Sequence, residues 1–227
     1  CKNTHFINCN GLDETAEHYS TARDIAKISC ELLKHPKIQE YTTIWMDTLR
    51  DGAFGLSNTN KLIRFYKGAN GIKTGSTSTA KYCLSASAKR DGMQLVAVVL
   101  GAPTTADRFG SATRLLDYGF AGWRLCRTAE GFANYSVVNC AEKIGKIEPL
   151  PVIGGKEDTV SAAADKSVNF IVKKGNSDKV EVKTTIDEPL RAPIKKGQKI
   201  GEATLSVGGE KLAKCDIKAT TEVKRMD

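Results

Sequence analysis

Apolar positions follow a helical period in two stretches of the chain and a strand period in several others. After Thr21, residues Ala22, Ile25, Ile28, Cys30 and Leu32-Leu33 fall mostly on one side of a helix. His35-Pro36 ends it, because proline has no N–H for the helical ladder. Thr21-Ala22-Arg23-Asp24 has the form of a capping box, an N-cap hydroxyl with an acid three residues on. Leu56-Ser57-Asn58-Thr59-Asn60 is rich in turn formers. An apolar Leu62-Ile63, an exposed Arg64-Phe65-Tyr66-Lys67 and a loop at Gly68-Ala69-Asn70-Gly71 follow. The period then changes. Residues 83–88 alternate, Lys89-Arg90-Asp91-Gly92 supplies a hairpin turn with the favoured Asp-Gly pair, and the apolar run at 94–100 predicts a central strand buried on both faces. A second amphipathic helix is predicted over 107–120, with Phe109, Ala112, Leu115, Leu116 and Phe120 on one side. Helix, strand, strand, helix implies helices packed on an antiparallel sheet.

Past Trp123 the pattern becomes one of short β-branched runs: Ser136-Val137-Val138, Asn169-Phe170-Ile171-Val172, Val180-Glu181-Val182 and Ala203-Thr204-Leu205-Ser206-Val207. Gly154-Gly155, Lys174-Gly175-Asn176, Lys196-Gly197 and Gly208-Gly209 separate them. Such spacing predicts a small all-β module. The change lies between residues 122 and 132, dividing the chain into domains 1–125 and 126–227.

Composition changes this picture little. The 227 residues suffice for one large or two modest domains, and 41% apolar with 26% charged is ordinary for a globular protein. No apolar run reaches the roughly 18 residues that a membrane helix needs. The 34 basic against 26 acidic residues give +8, which suits an acidic partner. The lysines are scattered, however, without interleaved aromatics, and this excludes a nucleic-acid footprint. The chain opens on Cys1-Lys2-Asn3-Thr4-His5-Phe6, without Met or an apolar leader core, and reads as a fragment. Seven cysteines, an odd number without tight spacing, predict free and mostly buried thiols instead of a disulfide framework or a zinc site. Free thiols suit a cytosol, or the exterior of a cell living without oxygen.

Chemistry concentrates in Gly71-Ile72-Lys73-Thr74-Gly75-Ser76-Thr77. A phosphate loop would need Gly before the Lys-Thr pair; Ile72 stands there, and no Gly-rich loop opening a helix follows. A Lys-Thr-Gly heading a strand, followed by a hairpin and a buried strand, suits an active-site serine enzyme that recognises penicillin. Lys73 places a positive charge in a cleft, and the Thr74 hydroxyl can donate to a carboxylate. Gly75 leaves room for a substrate to lie along the strand, and the next backbone N–H can serve an oxyanion hole.

The chain resembles the low-molecular-weight penicillin-binding D-alanyl-D-alanine carboxypeptidases over nearly its whole length. The motifs occur in order: Asn3-Thr4-His5-Phe6, Asn10-Gly11-Leu12-Asp13, His18-Tyr19-Ser20-Thr21-Ala22-Arg23-Asp24, Asn58-Thr59-Asn60-Lys61-Leu62, the Lys-Thr-Gly segment, and Asp107-Arg108 leading to Leu115-Leu116-Asp117-Tyr118-Gly119-Phe120. Leu190-Arg191-Ala192-Pro193-Ile194-Lys195-Lys196-Gly197-Gln198 fits the family's C-terminal module.

The resemblance implies the C-terminal portion of an α/β (α+β) penicillin-recognising serine hydrolase fold, followed by a small all-β, sandwich-like domain. It implies that Lys73, Thr74 and Gly75 line the catalytic cleft, that Ser76 offers an oxyanion N–H, and that Arg108 meets the substrate carboxylate. A nucleophilic Ser three residues before a Lys, and a Ser-x-Asn, are expected upstream of Cys1. Ser78-Thr79-Ala80-Lys81 and Ser167-Val168-Asn169 copy those spacings but stand in the wrong context. The implied activity is hydrolysis of D-Ala-D-Ala in peptidoglycan pentapeptides through an acyl-enzyme. No metal or organic cofactor is implied, and β-lactams are the expected inhibitors. The implied location is outside the cytoplasmic membrane, tethered to its surface by a C-terminal segment not present here. A non-catalytic wall-binding homologue and a related endopeptidase or β-lactamase are the alternatives.

Overall fold

The computed structural model describes residues 1–12, 15–128, 134–138, 143–176 and 179–226, with side chains left out at 134–138 and 143–146. It divides into two compact units, Cys1–Gly122 and Trp123–Asp227. Asp13 and Cys140 lie outside the described residues.

In the first unit, α1 (Ala22–Leu32) starts where the hydroxyl signal stood, with Thr21 Oγ1 accepting the Asp24 N–H at 3.2 Å. The acid does not complete a reciprocal box. Asp24, only 2% exposed, accepts from Asn3 N at 2.8 Å and Thr4 Oγ1 at 3.0 Å, strapping the N-terminal segment to the helix. Those donors, the Asn3 N–H foremost, hold its carboxyl below the usual range. Beyond α1 come α2 (Lys37–Thr42), a hairpin of β1 (Met46–Leu49) and β2 (Phe54–Ser57), and the single turn α3 (Leu62–Phe65). The segment read as exposed is split. Phe65 is 72% exposed, whereas Tyr66 is in the core and donates to Asp117 Oδ1 at 2.7 Å.

Three strands form the antiparallel sheet: β3 (Ala69–Thr77), β4 (Lys81–Arg90) and β5 (Met93–Ala102), in the order β3-β4-β5. Asp91 and Gly92 turn the β4–β5 hairpin at φ 49° and 79°, the left-handed pair that an Asp-Gly turn supplies. The strand buried on both faces is β4, and β5 pairs with β4 alone among the described residues. Leu84, Ala86 and Ala88 meet Ala112 and Leu116 of α4 (Thr105–Gly122), while on the other face Ser85 Oγ bonds Ser29 Oγ of α1 at 2.7 Å. Small residues on both sides let helices approach closely, and their weak hydrophobic signal hid the central position.

The second unit contains β6 (Trp123–Thr128), β7 (Asn134–Val138), β8 (Lys143–Lys146), β9 (Leu150–Pro151), β10 (Thr159–Val160), β11 (Ala162–Ala164), β12 (Asn169–Lys173), β13 (Glu181–Ile186), β14 (Lys199–Val207) and β15 (Glu210–Ala219). They form two four-stranded sheets, β12-β6-β7-β8 and β11-β15-β14-β13, with a short β9–β10 pair. Val160, Ile194, Ile200, Ile217 and Val223, all nearly inaccessible, fill its main core. Register sets Glu202 directly opposite Asp216, and Lys214 and Lys199 neutralise them at 2.9 and 2.5 Å.

The cysteine expectation holds in part: Cys1, Cys9, Cys30, Cys83 and Cys215 are free thiols, but of these only Cys215 is buried. Cys126 is disulfide-bonded, and Cys1, Cys9 and Cys30 are exposed. A disulfide depends on how two Cβ vectors meet in space, and sequence spacing carries no record of that.

Candidate active site

The Lys-Thr-Gly triplet does not head its strand but occupies the middle of β3, which begins at Ala69 with an irregularity between Ala69 and Gly71. Pairing with β4 sets Lys73 opposite Ser85, Thr74 opposite Leu84 and Gly75 opposite Cys83. Alternation therefore puts Lys73 and Gly75 on one face of β3 and Thr74 on the other. The other edge of β3 has no strand partner among the described residues. That edge is a template onto which an extended peptide can add.

Lys73 is exposed, and its Nζ donates to the Thr74 carbonyl, so the ammonium stays beside the triplet. Thr74 is 8% exposed, with Oγ1 2.6 Å from Thr59 Oγ1. Gly75 is exposed, and a Cβ added there would meet nothing within 4 Å. Glycine is thus not demanded by crowding within this chain. Gly75, Ser76 and Thr77 form one wall of a cavity of about 740 Å³, with Phe6, Tyr19 and Leu100 on other sides. Ser76 and Thr77 also line a second hollow with Ser78, Lys81, Tyr82 and Pro103.

Arg108, in the first turns of α4, is 7% exposed and reaches β3 and β4. Its Nη1 donates to Gly75 O at 3.3 Å and Cys83 O at 3.2 Å, and its guanidinium stacks against Phe109 and Tyr82 at 4.7 and 5.6 Å from the ring centres. Among the described residues its Nε is buried without a hydrogen-bond partner. The arginine is therefore beside Gly75, with part of its donor capacity committed to backbone.

Neither look-alike motif lies on a helix. Ser78-Thr79-Ala80-Lys81 makes the β3–β4 turn, with Lys81 at φ 56°, and has no helix to aim Ser78 and Lys81 together. Ser167 precedes β12 and accepts from Arg127 Nη2 at 3.1 Å. The sequence did not single out Thr59, the neighbour of Thr74. Its only signal was the amide-rich Asn58-Thr59-Asn60, which read as a turn.

A three-stranded antiparallel sheet flanked by helices, carrying Lys-Thr-Gly on an open edge strand and followed by a β domain, defines a penicillin-recognising serine hydrolase fold. Residues 1–104 match the D-alanyl-D-alanine carboxypeptidase family, and residues 135–225 match the C-terminal domain of penicillin-binding protein 5. Both parts of the chain are thus similar to penicillin-binding D-alanyl-D-alanine carboxypeptidases. It is 37% identical to D-alanyl-D-alanine carboxypeptidase DacF of Bacillus subtilis, over 99% of this chain and 55% of that protein. DacA of Haemophilus influenzae is 31% identical over 98% of this chain and 54% of that one. The crystal structure of penicillin binding protein 5 from Haemophilus influenzae superposes with a TM-score of 0.72 at 29% identity, over 99% of this chain and 62% of that one. The chain spans about half the length of the relatives it matches.

Proposed function

We propose that this chain is the C-terminal part of a serine-type D-alanyl-D-alanine carboxypeptidase acting on peptidoglycan stem peptides, with the nucleophilic Ser-x-x-Lys and the Ser-x-Asn on an upstream half. The observation that carries this reading is Lys73-Thr74-Gly75 on a strand with one edge unpaired among the described residues, its Gly75 lining a cavity. The stem peptide lies along that edge as an added strand. The activated serine Oγ attacks the penultimate D-Ala carbonyl carbon, giving an oxyanion that the Ser76 N–H helps to stabilise. The tetrahedral adduct collapses, the C–N bond breaks, and D-Ala leaves with a proton on its amine. Water then attacks the acyl-enzyme and restores the serine. Lys73 supplies positive charge near the reacting centre, while Thr74 and Arg108 receive the terminal carboxylate. β-Lactams acylate the same serine. The enzyme works outside the cytoplasmic membrane, held to its surface through a C-terminal segment.

The test joins this chain to an upstream half carrying the Ser-x-x-Lys serine. In that protein Lys73→Ala is expected to slow acylation by penicillin about a hundredfold, the scale of one lost preorganised electrostatic group. Because the Lys73 side chain is exposed, the thermal midpoint should hardly change. Near-normal acylation by a folded Lys73→Ala protein removes Lys73 from the site.

A further inference from the structure

We infer that Thr59 is a positioning residue for substrate recognition: its hydroxyl donates to Thr74 Oγ1 and thereby turns the single Thr74 proton toward the anionic end of the substrate. The inference rests on the reading of Thr74 as a carboxylate donor given above.

The two hydroxyl oxygens are 2.6 Å apart, and either can be the donor. Each has one hydrogen and can accept from its lone pairs. If Thr74 gives its proton to Thr59, it has nothing to offer a carboxylate, which only accepts. A bound anion therefore selects the opposite direction, in which Thr59 donates to Thr74 and Thr74 donates to the ligand. Aligned in that order, the two bonds polarise each other and the outer one strengthens.

The local structure keeps Thr59 in place for this task. Asn58 Oδ1 accepts the Asn60 N–H at 2.9 Å, closing a tight turn around Thr59. Asn58 Nδ2 donates to Ile44 O at 2.9 Å and Thr42 O at 3.3 Å, tying one end of the turn to the segment ahead of β1. Asn60 Nδ2 donates to Gly71 O at 2.9 Å, tying the other end to the strand that carries Thr74. Asn60 Oδ1 also accepts the Leu62 N–H at 3.2 Å, which anchors the turn to α3. Thr59 itself is exposed, so this hydroxyl bond, not packing, is its visible role. Its β-branched side chain has few rotamers in which to lose that bond.

The experiment uses the protein with its upstream half and a D-Ala-D-Ala peptide ending in a free carboxylate or in an amide. Thr59→Val is expected to lower kcat/KM on the free acid about three- to tenfold, the range for one hydrogen bond. The loss should fall on KM with kcat held, because the contact is made in ground and transition states alike. It should be smaller on the amide, and Thr59→Ser should restore most of it. In a Thr74→Val background, Thr59→Val should add nothing. Additive losses in that double variant overturn the inference, as does unchanged kcat/KM in Thr59→Val when Thr74→Val alone is impaired. Unchanged kinetics in Thr74→Val overturn the reading of Thr74 itself, and the inference with it. If Thr59→Val fails to fold, the Thr59→Ala and Thr59→Ser pair gives the same comparison.

Discussion

Arg108 carries two demands on one guanidinium. It donates to the carbonyls of Gly75 and Cys83, and the proposed site needs its remaining donors for a carboxylate. Its buried Nε has no partner among the described residues. Removing the side chain therefore acts in two ways that separate on two substrates. Arg108→Ala leaves two backbone acceptors short, and this part of the loss affects a free-acid peptide and its amide equally. The carboxylate contact is a charge-assisted hydrogen bond worth roughly 1.5–3 kcal/mol, so kcat/KM on the free acid should fall by about tenfold or more beyond the loss on the amide. Equal losses on both would confine Arg108 to holding the β3–β4 strand ends. Replacement by Lys is no remedy, since a point-like ammonium cannot span two carbonyls and a ligand in one plane.

Among the elements, α1 links the N-terminal segment to the sheet. Its outer end holds Asn3 and Thr4 through Asp24, and its inner face meets β4 through Ser29 and Ser85. The depressed Asp24 carboxyl gives this strap a pH dependence of definite sign. A carboxylate whose folded pKa lies below its unfolded value, about 3.9, stabilises the fold above that value and loses the contribution as pH falls through the folded one. Acid titration followed by amide exchange at Asn3 should therefore show protection at neutral pH that disappears below the ordinary carboxylate range. Asp24→Ala should lack Asn3 protection at every pH. Protection that persists in Asp24→Ala would mean that the His5–Tyr19 bridge alone holds the segment.

On the scale of the whole chain, the first unit offers one wall of the proposed active site and no placed nucleophile among the described residues. The 24.6 kDa chain alone should form no covalent adduct with a fluorescent penicillin. The serines that mimic the motif are on a turn and in the second unit, away from any helix that could pair them with a lysine. A labelled band that disappears on Ser78→Ala would show that the turn serine is the reactive one.

Sequence alone determined features with a local cause. The Thr21 N-cap, the Asp-Gly hairpin, the helix over α4 and the β-rich second half all follow from backbone preferences and short-range periodicity. Ordered motifs around Lys73-Thr74-Gly75 led to the family for the same reason, since the chemistry needs those residue types in that order. Tertiary structure decided what depends on meetings between distant segments. It made β4 the doubly covered strand, because alanine and serine become core only when α1 and α4 close over them. It buried Tyr66 through a partner 51 residues away, and it oxidised Cys126 where spacing predicted a thiol. It also turned Asn58-Thr59-Asn60 from a loop signal into a clamp beside Thr74. A hydroxyl–hydroxyl contact between residues 15 apart depends on directions in space, and those exist only once the chain has folded.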